Sequence, residues 1–121
     1  MPQDYHDITS SVSASLAKFR ADMPDVARGF TALAQAAMKD GALDKKTKEF
    51  IALGLSVAGH CDACIGFHVQ ALVRLGASRA EVEEALAVAV YMGGGPSYMY
   101  AADALVAFEQ ASSAAPAAAG A

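Results

Sequence analysis

The chemically suggestive residues of this chain crowd into the stretch GHCDACIGFH, Gly59 to His68, which holds both cysteines and two of the three histidines. Cys61 and Cys64 are three residues apart, so if this segment opens a helix the two sulfurs can approach closely enough to bond. At a helix start, unpaired N–H groups and the positive end of the helix dipole favour thiolate over thiol. His68 follows Cys64 by four residues, so the two project from one helical face about a turn apart. A neutral imidazole there can take a proton, and a charged one would lower the pKa of a neighbouring thiol. Glu49, twelve residues before Cys61, is an acid at the edge of an apolar run. If the segments holding Glu49 and His68 form an antiparallel helical hairpin, Glu49 lies roughly 16 Å back from the turn and His68 about 10 Å beyond it. A long side chain, a helix crossing angle or an intervening water must close that offset. The arrangement permits a Glu–water–His–Cys proton path.

The same residues admit plainer readings. Two cysteines can be small buried hydrophobes. Cys61, Cys64 and His68 could supply three metal ligands with His60 a fourth, although structural zinc sites usually draw a second ligand pair from another segment, and His6 is far away in sequence. Attachment of a c-type haem needs a histidine directly after the second cysteine, where this chain has Ile65. His60 reads as a turn residue, and Glu49 taken alone as a surface carboxylate.

The elements that would position these residues are helices, because no period-2 alternation is sustained anywhere. Ile8, Val12, Leu16 and Phe19 recur at helical spacing and define a helix near 8–21. Pro24 suits the first turn of a second helix lined by Val26, Phe30, Leu33 and Met38, with Gly41 as its terminator. Asp44 is an N-cap for a third helix running to about Gly59. Its second half, FIALGLSVAG, is apolar on every side and reads as buried. A fourth helix starts within CDAC and ends at Gly76. Ser78 and Glu81 form a capping box for a fifth. GGGP, Gly93 to Pro96, breaks the chain before a sixth near 97–112, on which Ala101, Leu105 and Phe108 share a face. The fold class is therefore all-α: a single-domain bundle of about six helices over 1–110, followed by an Ala-rich, disordered tail over 111–121.

Composition narrows the partners. The chain has 121 residues, enough for one domain, and a formal net charge of −4, which argues against nucleic-acid binding. The basic cluster KKTK, Lys45 to Lys48, is followed by Glu49 and reads as solvated first turns of a helix. The longest uncharged run, Ala85 to Ala102, is interrupted by GGGP and reads as two buried helices, not a membrane span. MPQDYHDITS has no basic or apolar signal-peptide region, so the expected setting is the cytoplasm, where a close cysteine pair is more often catalytic or metal-binding than structural. A hydrophobic content of 55% is high for a domain with so small an interior, so either some apolar surface is exposed or, as expected here, it is covered between identical subunits.

Taken together, LDKKTKE, C-x-x-C-x-x-x-H and YMGGGP in this order resemble the carboxymuconolactone decarboxylase superfamily, specifically its AhpD-like alkylhydroperoxidase branch. The resemblance spans roughly Leu43 to Leu105. It implies an all-α, cofactor-free peroxidase or dithiol–disulfide oxidoreductase with an active site of Glu49, Cys61, Cys64 and His68. Cys64 would be the peroxidatic residue, passing through a sulfenic acid. Cys61 would donate a proton and resolve the intermediate into a disulfide, and Glu49 and His68 would relay protons. It further implies a hydroperoxide substrate, an external dithiol reductant and a homo-oligomer, trimeric or hexameric. Founding members carry a histidine between the cysteines, where this chain has Ala63. In most C-x-x-C redox motifs the first cysteine is the attacker, whereas the resemblance assigns that part to the second. The position of His68 beside Cys64 favours the resemblance. Two other readings are a decarboxylase-like small-molecule enzyme, although decarboxylases of the superfamily lack the cysteine pair, and a non-enzymatic metal-binding or redox-sensing module.

Overall fold

Each helix of the chain starts where the sequence offers a means to start it. The structure, a computed structural model describing residues 3–114, contains α1 (Tyr5–Asp22), α2 (Pro24–Met38), α3 (Lys45–Ala58), α4 (Asp62–Arg74), α5 (Arg79–Gly93) and α6 (Gly95–Ala114). Asp4 and Asp44 accept hydrogen bonds from the backbone N–H groups of Asp7 and Thr47, and so cap α1 and α3. Pro24 occupies the first turn of α2. Ser78 and Glu81 close a reciprocal capping box at α5. Gly94, at φ 76°, reverses the chain between α5 and α6. α6 runs to Ala114, four residues into the stretch expected to be tail, and the rest of that stretch, 115–121, lies outside the described residues. Among the described residues there is no strand, and no helix is long and apolar enough to cross a membrane.

The core forms where α3, α4, α5 and α6 meet. Leu53 and Val57 from α3 pack with Ile65, Val69 and Leu72 from α4, Val82, Leu86 and Ala89 from α5, and Ala101, Ala104 and Phe108 from α6. The small side chains of α6 let its backbone approach its neighbours closely, while the branched residues opposite fill the volume. α1 adds Tyr5 to this core and lies across α4 and α6.

Where the structure departs from the sequence reading, the apolar residues concerned are turned outward or a helix ends earlier than expected. α2 buries none of its residues: Phe30 is 70% and Leu33 64% exposed, because this helix rests only along the edges of α1 and α3 with its apolar stripe turned away from the core. α3 is not buried on every side either, since Ile51 and Leu55 face outward at 49% and 68% exposure. Gly41 does not terminate α2, which ends with Lys39 in extended conformation as its cap.

The crossing of α1 over α4 depends on Gly66. A Cβ there would lie 2.5 Å from the Thr9 methyl group. Thr9 cannot simply rotate away, because its hydroxyl donates to the Tyr5 carbonyl at 3.0 Å and accepts from Gln70 at 3.2 Å. Gly66→Ala should therefore push α1 off α4 and cost about 1–3 kcal/mol. Thermal unfolding of the two proteins checks this, and an unchanged Tm would show that Thr9 yields without loss.

Candidate active site

The site is built at the corner where α3 ends and α4 begins. The last turn of α3 closes with two paired bonds: the His60 N–H donates to the Val57 carbonyl at 3.2 Å, and the Cys61 N–H donates to the Ser56 carbonyl at 3.1 Å. Cys61 then serves at once as the N-cap of α4. Its backbone is extended (φ −112°, ψ 97°), and its sulfur accepts from the Cys64 N–H at 3.2 Å. A sulfur thus stands where helices usually place a hydroxyl or carboxylate. Cys64, in the first turn of the helix, is joined to Cys61 by a disulfide, with their Cα atoms 5.2 Å apart. Both cysteines are half-buried.

Glu49 lies on the buried face of α3 and is only 5% exposed. Such a carboxylate needs a hydrogen-bonding partner to offset the loss of water. That partner is His68 of α4, whose Nδ1 lies 2.8 Å from Glu49 Oε2. A carboxylate oxygen accepts, so the bond runs from His68 Nδ1–H, which leaves Nε2 as the ring nitrogen available for proton transfer. The axial offset expected between Glu49 and His68 is closed by direct contact, and no bridging water is required. The structure therefore makes two pairs, Glu49 with His68 and Cys61 with Cys64, and the four-residue spacing of Cys64 and His68 puts one member of each pair on the same face of α4.

Three neighbours were not identified from the sequence. The exposed His60 ring lies flat on Tyr100 of α6, with centroids 4.7 Å apart and planes 6° from parallel. Tyr5 of α1 donates its phenolic O–H to Asp62, between the two cysteines, at 3.3 Å. Burial, reinforced by Asp62 and Asp103, holds the Tyr5 phenol well above its ordinary titration range, so it stays a neutral donor. These partners are 40 and 57 residues apart in sequence, with no local pattern to announce them.

A separate groove of about 660 Å³ runs between α1, α4 and the end of α6, lined by residues including Thr9, Phe67, Gln70 and Gln110. It includes neither cysteine and neither member of the Glu49–His68 pair. Among the described residues, no group of three or more His, Cys, Asp or Glu side chains is arranged to hold a metal ion.

Fold and site together define an all-α helical protein with a cysteine pair at a helix start and a carboxylate–imidazole pair whose histidine lies on the same helix. Residues 24–107 match the sequence profile of the carboxymuconolactone decarboxylase family, and the chain belongs to that family. It is 41% identical over 86 residues to an uncharacterized protein of Cupriavidus necator, covering 71% of this chain and 76% of that one. Among solved structures it resembles apo-lpg0406, a carboxymuconolactone decarboxylase family protein from Legionella pneumophila. That likeness has a TM-score of 0.88 and 61% identity over 89% of this chain and 96% of the other. A Thermotoga maritima member of the family, TM1620, matches with a TM-score of 0.76 and 30% identity over 84% and 87% of the two chains.

The Glu49–His68 contact has a measurable signature. His68→Ala strands a buried carboxylate and should destabilise the fold by about 1–3 kcal/mol. Adding Glu49→Gln to that variant removes the stranded charge and should restore part of the loss. Denaturant unfolding of both variants provides the comparison, and a double variant no more stable than His68→Ala would contradict this account.

Proposed function

We propose that this protein is a thiol-dependent hydroperoxidase working as a dithiol–disulfide oxidoreductase of the AhpD-like kind. The observation that carries the reading is the Cys61–Cys64 pair at the N-terminus of α4, with the Glu49–His68 hydrogen bond joining α3 and α4 one helical turn beyond Cys64. In the reduced protein, the Cys64 thiolate attacks the terminal oxygen of a hydroperoxide ROOH. The O–O bond breaks, Cys64 becomes a sulfenic acid, and the departing alkoxide takes a proton to leave as ROH. Cys61 then attacks the Cys64 sulfur, forming the disulfide and releasing water. An external dithiol restores both thiols by exchange and is itself oxidised to a disulfide. His68, its ring oriented by Glu49, carries the proton taken from Cys64 and returned to the leaving oxygen. The helix N-terminus favours the attacking thiolate in place of the histidine that Ala63 replaces.

Related proteins lend support. A part in the antioxidative response has been suggested for the Thermotoga maritima relative. Lactone decarboxylation makes no use of a cysteine pair, so the C-x-x-C motif favours redox chemistry. We assign the protein to the cytoplasm, where external dithiols are abundant.

Treating the reduced protein with one equivalent of hydroperoxide should consume both thiols and yield the Cys61–Cys64 disulfide. Cys61→Ser should stop at a sulfenic acid on Cys64, and Cys64→Ser should consume no peroxide. Mass analysis of the peptide spanning both cysteines reads all three outcomes. Peroxide turnover by Cys64→Ser at the parent rate would sink the assignment of the attacking residue.

The outward apolar stripe of α2, with Ile51 and Leu55 on α3, supports assembly into a homo-oligomer of three or six copies. Light scattering should then give a multiple of the chain mass, and Phe30→Glu or Leu55→Glu should lower it. A monomeric parent protein would end this reading.

A further inference from the structure

The corner between α3 and α4 contains an anomaly that the proposed chemistry does not use. His60 has a φ of 55° and is the one non-glycine residue with positive φ among the described residues. Its position explains the conformation. The bonds from the His60 N–H to Val57 and from the Cys61 N–H to Ser56 form the paired termination in which the penultimate residue must be left-handed. The same motif recurs at the end of α4. There the Gly76 N–H donates to Val73 at 3.1 Å, the Ala77 N–H donates to Leu72 at 3.0 Å, and the left-handed residue is Gly76, at φ 79°. The molecule thus solves one backbone problem twice, once with the residue that adopts this conformation freely and once with a histidine that does so at a cost.

The side chain supplies the reason for the difference. The His60 ring stacks on Tyr100, tying the corner directly before Cys61 to α6. No comparable ring contact is needed at Gly76, where no reactive residue follows.

We propose that His60 is a positioning residue for the dithiol: stacked on Tyr100, it clamps the α3–α4 corner and holds Cys61 in its capping position over the first turn of α4. Closing the disulfide restricts the Cys61 backbone, and a corner that the His60–Tyr100 stack also holds in the dithiol would have less freedom to lose. The clamp therefore favours the disulfide over the dithiol. This deepens the redox reading of the site and rests on it, but concerns the thiol–disulfide equilibrium and not the oxidant.

The test is equilibration of the full chain with mixtures of reduced and oxidised dithiothreitol. Each exchange opens one protein disulfide and closes one reagent disulfide, transferring two electrons and two protons. His60→Asn keeps a residue tolerant of positive φ but removes the stacking ring, and Tyr100→Leu removes the other ring while leaving His60. Both should shift the equilibrium toward the dithiol by about two- to tenfold, the range expected for a lost aromatic pair. The double variant should shift no further than either single one, and Tyr100→Phe, which preserves the stack, should remain within about twofold of the parent. A shift below about twofold in both His60→Asn and Tyr100→Leu would overturn the proposal, as would additive shifts in the double variant. Because the measurement contains no hydroperoxide, an inactive peroxidase with these shifts would refute only the proposed substrate. An active one without them would refute only the clamp.

Discussion

A carboxylate taken out of water must be met by a donor, and much of this molecule is arranged around how Glu49 meets that requirement. Its Oε2 lies 2.8 Å from His68 Nδ1, and the bond joins two helices at a point well back from the turn between them. Satisfying that single acceptor fixes how far α4 has slid along α3. Any other axial offset would strand a buried charge, at a cost well above that of an ordinary packing error. Leu53 and Val57, on the same helix, then face Ile65, Val69 and Leu72 in one register. The polar contact selects the alignment, and the apolar contacts supply most of its strength.

With that alignment set, the chain has very little length in which to turn. Ala58 ends α3 and Asp62 begins α4, so Cys61 belongs to the termination of one helix and the start of the next. The economy has a chemical result. The sulfur of Cys61 accepts from the Cys64 N–H, while Cys64 sits in the first turn, where the helix dipole acts most strongly. Two further elements hold this small region from separate directions: α6 through Tyr100, and α1 through the Tyr5 hydrogen bond to Asp62.

What could be seen in the chain beforehand was largely what is encoded locally. Asp44, Ser78 with Glu81, and the glycines around the α5–α6 turn each act within a few residues, and the helices they delimit follow from them. The members of the two observed pairs could also be singled out, because Cys61, Cys64 and His68 fall within one short stretch and Glu49 belongs to a recognisable pattern. What escaped was set by tertiary placement. The apolar stripe of α2 and the residues Ile51 and Leu55 have the composition of a core but are turned outward. Hydrophobicity alone does not say which surface will cover a residue. Tyr5, Tyr100 and the direct Glu49–His68 contact depend on the angles at which helices cross, which no local signal in the sequence specifies.

The disulfide closes a ring of the chain only three residues in span. A link over so short a loop removes little freedom from the unfolded chain, on the order of 2 kcal/mol against nearly 5 kcal/mol for a loop of about a hundred residues. Neither sulfur belongs to the hydrophobic core, and apart from the bond from the Cys64 N–H to Cys61 Sγ the backbone hydrogen bonds around them run between N–H and C=O groups. Oxidation state and foldedness are therefore only loosely linked in this architecture. Opening or closing this cross-link asks little of the bundle beneath it, which is held together by contacts that do not involve the two sulfurs.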